Sequence, residues 1–336
     1  MRFSLPTPRM VLQARVQSQG HSLGLEVLIF IAVFCLAGLI IEGTLQTIVI
    51  VPSLLDPAFL RAVQEQVSRG GAGPSYQGVM EIVNMVLSNP LTMLGLLFST
   101  VGLSAGVLVY CRAIERRSLA SMGIRRARAL REYLLGGLLG LAFLAAVVGI
   151  CVITGTLQPQ AGGGLSLGLI GILLIFLVGF ILQGFSEELL CRGYFMVSLA
   201  RRQSLPLAVV ISSLAFSVLH LMNPGILEQP LAIPNIFMFG AIAGIYLLKR
   251  GDIWGAAAMH SLWNFAQGNI FGIQVSGVSK LPSLFSFTAP SATDSPWANL
   301  VNGGSFGLEG GLAASLVLAV ALVAVLLVPG RQEDAQ

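Results

Sequence analysis

Charged residues are scarce in this chain of 336 residues, where Asp, Glu, Lys and Arg together make up 10%. Soluble globular domains carry about 25% charged residues, and disordered chains combine charge with few apolar residues. The scarcity of charge therefore excludes both classes. Four cysteines are also too few for a fold held together by disulfides. Apolar residues are abundant instead, at 55% of the chain, which indicates that lipid surrounds much of it.

Long apolar runs are the main feature of the chain. A helix needs about 20 apolar residues to cross a bilayer, and eight runs approach or exceed that length. We therefore predict an all-α, polytopic integral membrane protein with about eight transmembrane helices. The first run is too long for the apolar core of a signal peptide, so we interpret it as a membrane anchor. The predicted spans are residues 27–51, 82–110, 134–156, 165–198, 205–221, 233–249, 253–271 and 311–328.

The basic residues predict how these helices are oriented. Loops rich in Lys and Arg stay on the cytoplasmic side of a membrane, and alternation along eight spans places fifteen of the 19 basic residues on one side. Both termini are then expected in the cytoplasm. Arg61, Arg69 and Lys280 fall on the other side, and Arg192 lies within the fourth span. The fifteen are Arg2, Arg9, Arg15, Arg112, Arg116, Arg117, Arg125, Arg126, Arg128, Arg131, Arg201, Arg202, Lys249, Arg250 and Arg331.

The predicted chain divides into three sections. Residues 1–110 hold a tail and the first two spans, residues 111–328 form a core, and residues 329–336 form a cytoplasmic tail. The arginine-rich stretch 111–131 fits a juxtamembrane loop beside anionic lipid better than a nucleic-acid site. On the opposite side of the membrane, the long segment 272–308 is either a lid or a connector.

Glycine and serine patterns within the spans are interpreted as structural. The ranges 136–140 and 240–244 each begin and end with glycine, which predicts close contacts between helices. Ser104 and Ser166 both lie in G-x-S-x-G matches. Neither is expected on the strand-to-helix turn that this motif needs in a serine hydrolase, so we discount that class of enzyme.

Three polar clusters interrupt the apolar spans, and such residues are functional candidates because lipid penalises them. They are residues 187–192 in the fourth span, 216–220 in the fifth and 260–264 in the seventh. Two of the three histidines of the chain lie in these clusters. Helical rise is about 1.5 Å per residue. On that scale the clusters meet at one height if the hairpin of the fourth and fifth spans projects roughly 10 Å further into the cytoplasm than the turn between the sixth and seventh spans. That height is in the cytoplasmic half of the bilayer.

Helical geometry separates the two carboxylates of the first cluster. Glu188 and Arg192 are four residues apart and can pair on one face. Glu187 is rotated from Glu188 by about 100°, so it can face a cavity and act as a general base toward water. His260 and Asn264 share a helix face and can donate hydrogen bonds to a developing oxyanion.

Three other interpretations of these clusters stay open. Glu187, His220 and His260 can be read as zinc ligands with an open position for water, although the HExxH motif is missing from the sequence. Polar residues also join helices in membranes. Chains of Glu and His carry protons in transporters, but no inverted repeat is evident. Because three clusters can reach one height, we favour a catalytic site.

In combination, EExxxR, FxxxH and HxxxN, in that order on three membrane helices, resemble the motifs of a known family. This is the CAAX protease and bacteriocin-processing family of intramembrane endopeptidases, also called the Abi family. The resemblance covers roughly residues 110–328, while the first two spans are less diagnostic. The motif residues in this chain are Glu187, Glu188, Arg192, Phe216, His220, His260 and Asn264.

The resemblance implies an eight-helix fold with a conical cavity that opens toward the cytoplasm. It implies that Glu187 activates water with the assistance of His220. It implies further that His260 and Asn264 stabilise the oxyanion. A reaction of this kind needs no cofactor. Zinc is the alternative, and its ligands would be Glu187, His220 and His260.

The resemblance also implies supporting roles for Glu188 and Arg192. The expected partners are the lipid bilayer and a peptide or protein whose cleavage site lies close to the cytoplasmic membrane face. No nucleic-acid partner is expected. The expected location is the plasma membrane of a prokaryotic cell. The alternative functions are a non-proteolytic immunity or scaffold protein with the same fold and, as a further alternative, a proton-coupled transporter.

Overall fold

The structure, a computed structural model, is built almost entirely of helices. Within the described residues, the strands are β1 (Gln158–Gln160) and β2 (Ser286–Thr288), which pair antiparallel with Gln158 opposite Thr288. The structure describes residues 7–69, 83, 85–160, 165–278, 280–289 and 295–330.

The helices are numbered in chain order. Widened, π-type turns interrupt α2 at Cys35–Glu42 and α6 at Leu189–Met196. The stretch in α6 begins directly after Glu188, and such turns are frequent at functional sites. The helices are α1 (Arg9–Gln17), α2 (Leu23–Leu54), α3 (Pro57–Arg69), α4 (Pro90–Ile114), α5 (Ala129–Ile153), α6 (Leu167–Ala200), α7 (Leu205–Met222), α8 (Ala232–Arg250), α9 (Trp254–Phe265), α10 (Pro296–Asn302) and α11 (Leu312–Leu327).

Six of the described helices are long and apolar enough to cross a membrane. They are α2 and α4 to α8, which correspond to the first six predicted spans. This confirms the prediction of an all-α, polytopic membrane protein. The seventh predicted span is α9 with its extension to Ile270, and the eighth is α11, with 16 residues. The start of the second predicted span at residue 82 and most of the tail at 329–336 lie outside the described residues.

A buried group of charges ties three helices together at the arginine-rich end. We call Glu26, Glu115, Arg117 and Arg201 the basal cluster. Arg201 Nη2 lies 3.0 Å from Glu26 Oε1 and 2.5 Å from Glu115 Oε1. Arg117 Nη1 lies 3.1 Å from Glu115 Oε2, and its side chain is fully buried. Two of the arginines that predict the orientation are therefore also structural ion-pair partners.

The predicted glycine contacts are confirmed in the packing of α5 against α9. A β-carbon on Gly136 would collide with the backbone of Gly255, and one on Gly140 would collide with the carbonyl group of Met259. The absence of side chains at both positions lets the two backbones approach closely. This contact fixes the helix that carries the third motif.

The projection of the α6–α7 hairpin agrees with the sequence-based estimate. A β-carbon built on Gly193 would lie 3.2 Å from Ile253 Cδ1, so Gly193 is level with the turn between α8 and α9. The remaining seven residues of α6 extend about 10 Å beyond that turn. Glu187 lies six residues before Gly193, and His260 lies seven residues after Ile253. Both are therefore about 10 Å above the same level.

The segment after α9 folds back over the middle of the molecule. Ser276 donates from its backbone N–H and its hydroxyl to Glu309 Oε1, at 3.2 and 3.1 Å. Gln267 Nε2 donates to Glu309 Oε2 at 2.5 Å, which ties this segment to the end of α9. Burial raises the pKa of the Glu309 carboxyl group, although its hydrogen bonds act in the opposite direction. This anchoring holds residues 275–278 against the polar clusters.

Candidate active site

Glu187 and two histidines from different helices converge on one point. Glu187 Oε2 lies 3.8 Å from His260 Nε2 and 4.0 Å from His220 Nε2. The side chain of Glu187 is 27% exposed, whereas that of Glu188 is fully buried. The predicted rotation between the two carboxylates therefore does place Glu187 at a cavity and Glu188 in the packed interior.

Glu188 is surrounded by positively charged and hydrogen-bonding groups. Its Oε1 lies 3.1 Å from Arg192 Nη1 and 3.1 Å from His260 Nδ1. The guanidinium carbon of Arg192 also lies 4.1 Å from the ring centre of Phe216, a cation–π distance. These contacts fix the ring of His260 so that its Nε2 faces Glu187.

The orientation of His220 follows from one hydrogen bond. Its Nδ1 lies 2.8 Å from the backbone oxygen of Phe216, four residues earlier on α7. A carbonyl oxygen can only accept a hydrogen bond, so Nδ1 carries the proton in this contact. In the neutral ring, Nε2 then presents a lone pair toward Glu187, which suits it to accept a proton or orient a water molecule.

Gln183 belongs to the site and was missed in the sequence. Its Nε2 donates to Glu187 Oε1 at 2.5 Å, and its Oε1 accepts from Asn264 Nδ2 at 3.2 Å. The sequence feature that could have identified it is a lone amide side chain in an apolar run, one helical turn before Glu187. Gln183 links the carboxylate of the first motif to the amide of the third.

A cavity of about 380 Å³ lies beside these residues. Its walls come from α2, α4, α6 and α7, from Asn264 and from the segment that follows α9. Glu42 of α2 lines the cavity and accepts a hydrogen bond from Gln46 Nε2 at 3.0 Å. The other polar lining residues are Thr100, Gln183, Glu187, His220, Asn223, Asn264 and Ser276.

The spacing of the donor atoms suits water better than zinc. A tetrahedral zinc ion with ligands at about 2.0–2.1 Å needs its donors about 3.3 Å apart, and the measured separations are 3.8 and 4.0 Å. Among the described residues, no group of three or more His, Cys, Asp or Glu side chains is arranged to hold a metal ion. A water oxygen about 2.8 Å from both atoms can bridge such a separation, and the two atoms then subtend an angle of about 90° at that oxygen.

The two serines of the G-x-S-x-G matches have structural contacts. Ser104 Oγ lies 2.7 Å from Ser186 Oγ in the interface of α4 with α6. Ser166 Oγ accepts from the backbone N–H of Leu169 at 3.1 Å and caps the start of α6. Both hydroxyl groups therefore serve helix packing and capping.

Comparison with known families identifies one match. Residues 169–266 match the profile of the family described as Type II CAAX prenyl endopeptidase Rce1-like. The matched segment contains all three polar motifs, so the resemblance drawn from them is confirmed. No curated protein and no solved structure matches the chain significantly.

Proposed function

We propose that this chain, whose residues 169–266 match the Rce1-like family of CAAX prenyl endopeptidases, is an intramembrane endopeptidase that activates water through Glu187. The observation that carries this proposal is the environment of Glu187 Oε2. This buried atom has no hydrogen-bond partner among the described residues. It faces two imidazole nitrogens across a gap that fits one water molecule.

Glu187 is the general base of the proposed reaction. The carboxylate takes a proton from the water molecule while the water oxygen attacks the peptide carbonyl carbon. His220 Nε2 orients the same water molecule, because its lone pair faces Glu187. The proton held by Glu187 then passes to the amide nitrogen as the C–N bond breaks. The products are a carboxylic acid and an amine.

His260 and Asn264 are the proposed electrophilic side of the site. Both lie on α9. Asn264 lines the cavity, His260 lines a smaller neighbouring pocket that Asn264 also borders, and Gln183 holds the amide of Asn264 in place. The Nδ2–H of Asn264 and the Nε2 of His260, when protonated, donate to the oxygen that becomes negative in the tetrahedral intermediate. Glu188 and Arg192 are supporting residues, because they position His260 and balance its charge.

The proposed substrate is a peptide or protein with a cleavage site at membrane depth. Both Glu187 and His260 lie about 10 Å above the level of the α8–α9 turn, which is the cytoplasmic end in the predicted orientation. The scissile bond is therefore placed in the cytoplasmic half of the bilayer. With this function we propose that the protein resides in the plasma membrane of a prokaryotic cell.

The function is tested by comparing peptides released from membranes that contain the wild-type protein or Glu187→Ala. Wild-type membranes should release peptides that Glu187→Ala membranes do not. Glu228→Ala, which alters an exposed carboxylate, is the matched control and should behave as wild type. Identical peptide profiles for all three proteins would contradict the proposal.

The same assay tests whether a metal ion takes part. Because the spacing of the donor atoms suits water better than zinc, we expect peptide release to persist after strong chelation, and elemental analysis of the purified protein to find no zinc. Loss of activity on chelation with recovery on adding zinc would instead support the metal-dependent alternative.

A further inference from the structure

A second carboxylate, Glu42 of α2, lines the cavity that contains Glu187. It lies outside residues 169–266, so the family match does not cover it. Ionisable side chains that face a cavity within membrane spans commonly mark the path of a substrate or ion. Glu42 is therefore a candidate for contact with the substrate.

Two glycines of α4 allow Glu42 to reach this position. A β-carbon on Gly106 would lie 2.5 Å from Ala37 Cβ, and one on Gly102 would lie 3.2 Å from Glu42 Cα. The widened turns of α2, Cys35–Glu42, span this contact and end at Glu42, and such turns are frequent at functional sites. The glycines of this G-x-S-x-G match therefore hold the backbone of Glu42 against α4.

Glu42 and Glu187 lie at nearly the same height in the helix bundle. The backbone of Glu42 contacts α4 at Gly102. Ser186, the residue before Glu187, has its Oγ 2.7 Å from Ser104 Oγ, and Ser104 is two residues beyond Gly102 on α4. The two carboxylates are therefore within about one helical turn, roughly 5 Å, of the same height.

Helices α2 and α6 form two walls of the cavity at this height. Closer to the basal cluster the two helices touch, and the ring centres of Phe30 and Phe195 are 4.0 Å apart. Farther along, Glu42 of α2 and Glu187 of α6 both line the cavity of about 380 Å³. A peptide with its scissile bond at Glu187 therefore brings a neighbouring side chain to Glu42.

The charge of the cavity determines which side chain suits Glu42. The described lining residues include these two carboxylates and no Lys or Arg. Glu42 Oε1 accepts a hydrogen bond from Gln46 Nε2 at 3.0 Å, but an amide carries no charge to balance the carboxylate. Ammonium and guanidinium groups make stronger hydrogen bonds to carboxylates than neutral donors do. A basic side chain is therefore attracted to Glu42, whereas an acidic one is repelled.

We propose that Glu42 determines specificity by binding a Lys or Arg side chain next to the scissile bond of the substrate. The inference rests on the proposed proteolytic function and names its substrate class, a membrane-embedded peptide with one basic residue in an otherwise apolar segment. The apolar part suits the remaining walls, which include Leu96, Leu97 and Val278. A basic residue is costly in lipid, and pairing with Glu42 offsets that cost inside the cavity.

Reporter cleavage tests this specificity. Each reporter carries an apolar segment and a releasable tag, and a single Lys replaces Met at successive positions from one reporter to the next. The wild-type protein should release the tag about tenfold faster when Lys lies beside the scissile bond than when Met does. Glu42→Gln should bring this Lys-to-Met ratio close to one, and Glu228→Gln, at an exposed carboxylate, should keep it. Because the ratio is formed within one variant, differences in the amount of folded protein cancel.

Two outcomes of the cleavage assay would overturn the proposal. If no Lys position increases release by the wild-type protein, the cavity does not select a basic residue. If Glu42→Gln slows the Lys and Met reporters equally, Glu42 acts in catalysis or folding and not in specificity.

Peptide binding separates this inference from the proposed function, because binding needs no hydrolysis. Fluorescent peptides with the same segment, carrying either Lys or Met, are titrated onto the purified protein in detergent. The Lys peptide should bind the wild-type protein about tenfold more tightly, and Glu42→Gln should remove this preference. Equal tag release by wild type and Glu187→Ala would contradict proteolysis by this site, and binding would then decide the role of Glu42. Equal affinity of the wild-type protein for both peptides would overturn that role.

Discussion

Gln183 shows how much of the site depends on a residue outside the three motifs. Its amide group donates to Glu187 and accepts from Asn264, so it connects the proposed base to the proposed oxyanion donor. A lone glutamine in an apolar helix is also a common interhelical contact. The sequence could not distinguish a role in the site from a role in helix packing, because the partner Asn264 is 81 residues away along the chain.

Replacement of Gln183 should therefore impair catalysis without unfolding the protein. We expect Gln183→Ala to lower kcat by about 10- to 100-fold, because Glu187 and Asn264 lose the group that aligns them. Tag release from a membrane reporter measures the effect. Gln13→Ala, which truncates an exposed glutamine of α1, is the control. Activity of Gln183→Ala equal to that of Gln13→Ala would show that Gln183 does not position the site.

The buried pair of Glu188 and Arg192 makes a separate prediction about stability. Arg192→Met leaves Glu188 without its cation in a fully buried position, and the loss of one partner of a buried pair costs about 3–5 kcal/mol. Thermal unfolding in detergent should show a clearly lower Tm. The double variant Glu188→Gln with Arg192→Met should regain part of the loss, because no unpaired charge remains. A double variant no more stable than Arg192→Met would contradict this account.

At the scale of elements, the contact of α5 with α9 determines where His260 lies. Gly140 touches the carbonyl group of Met259, the residue directly before His260. A larger side chain must push α9 away from α5 or distort its backbone. The catalytic geometry is therefore sensitive to a position on a helix that carries none of the three motifs.

We expect Gly140→Val to destabilise the protein by about 1–3 kcal/mol, as overpacking does in a filled interface, and to abolish reporter cleavage because His260 is displaced. Gly149→Val is the matched control on the same helix, since a β-carbon there meets no atom within 4 Å. Both Tm and cleavage should be close to wild type in the control. Full cleavage by Gly140→Val would show that α9 tolerates the displacement.

Local patterns predicted most of the elements, whereas long-range contacts determined the rest. The spans followed from continuous apolar runs, because every backbone group in lipid must be satisfied within a helix. The common height of Glu187 and His260 followed from helical rise together with a projection of roughly 10 Å assumed for the α6–α7 hairpin. The return of residues 275–278 to the cavity could not be predicted from local patterns, since it depends on Glu309 holding Ser276 from a distant part of the chain. Such a contact leaves no periodic signal in the sequence.

At the scale of the whole molecule, one buried carboxyl group outside the spans makes stability depend on pH. Burial raises the pKa of Asp252 from 3.8 to about 6, and the nearby carboxylate of Glu132 contributes in the same direction. Hydrogen bonding to Trp254 and the charge of Arg250 oppose the shift. The folded protein therefore binds this proton more tightly than the unfolded chain between about pH 4 and 6.

The sign of the effect follows from this difference in proton binding. The contribution of Asp252 to stability is present below about pH 4 and is lost as the pH rises through about 6. Asp252→Asn should remove this contribution and flatten the profile of Tm against pH, while its amide oxygen can still accept from Trp254 N. Asp56→Asn, at an exposed carboxylate, is the control. An unchanged profile for Asp252→Asn would show that Asp252 does not titrate in this range.

The basal cluster also determines how α2 can move. Glu26 fixes one end of this helix, whereas none of the residues in its final stretch, Gly43–Leu54, is buried. Ser53 Oγ lies 2.5 Å from Thr92 Oγ1, so α2 can tilt about a pivot among the buried ion pairs only together with the start of α4. A tilt of about 10° around that pivot would carry the far end, roughly 40 Å away, through about 7 Å. The motion grows with distance from the pivot, so it would be largest at the end of the cavity farthest from the basal cluster, while Glu187, His220 and His260, which lie on other helices, keep their spacing.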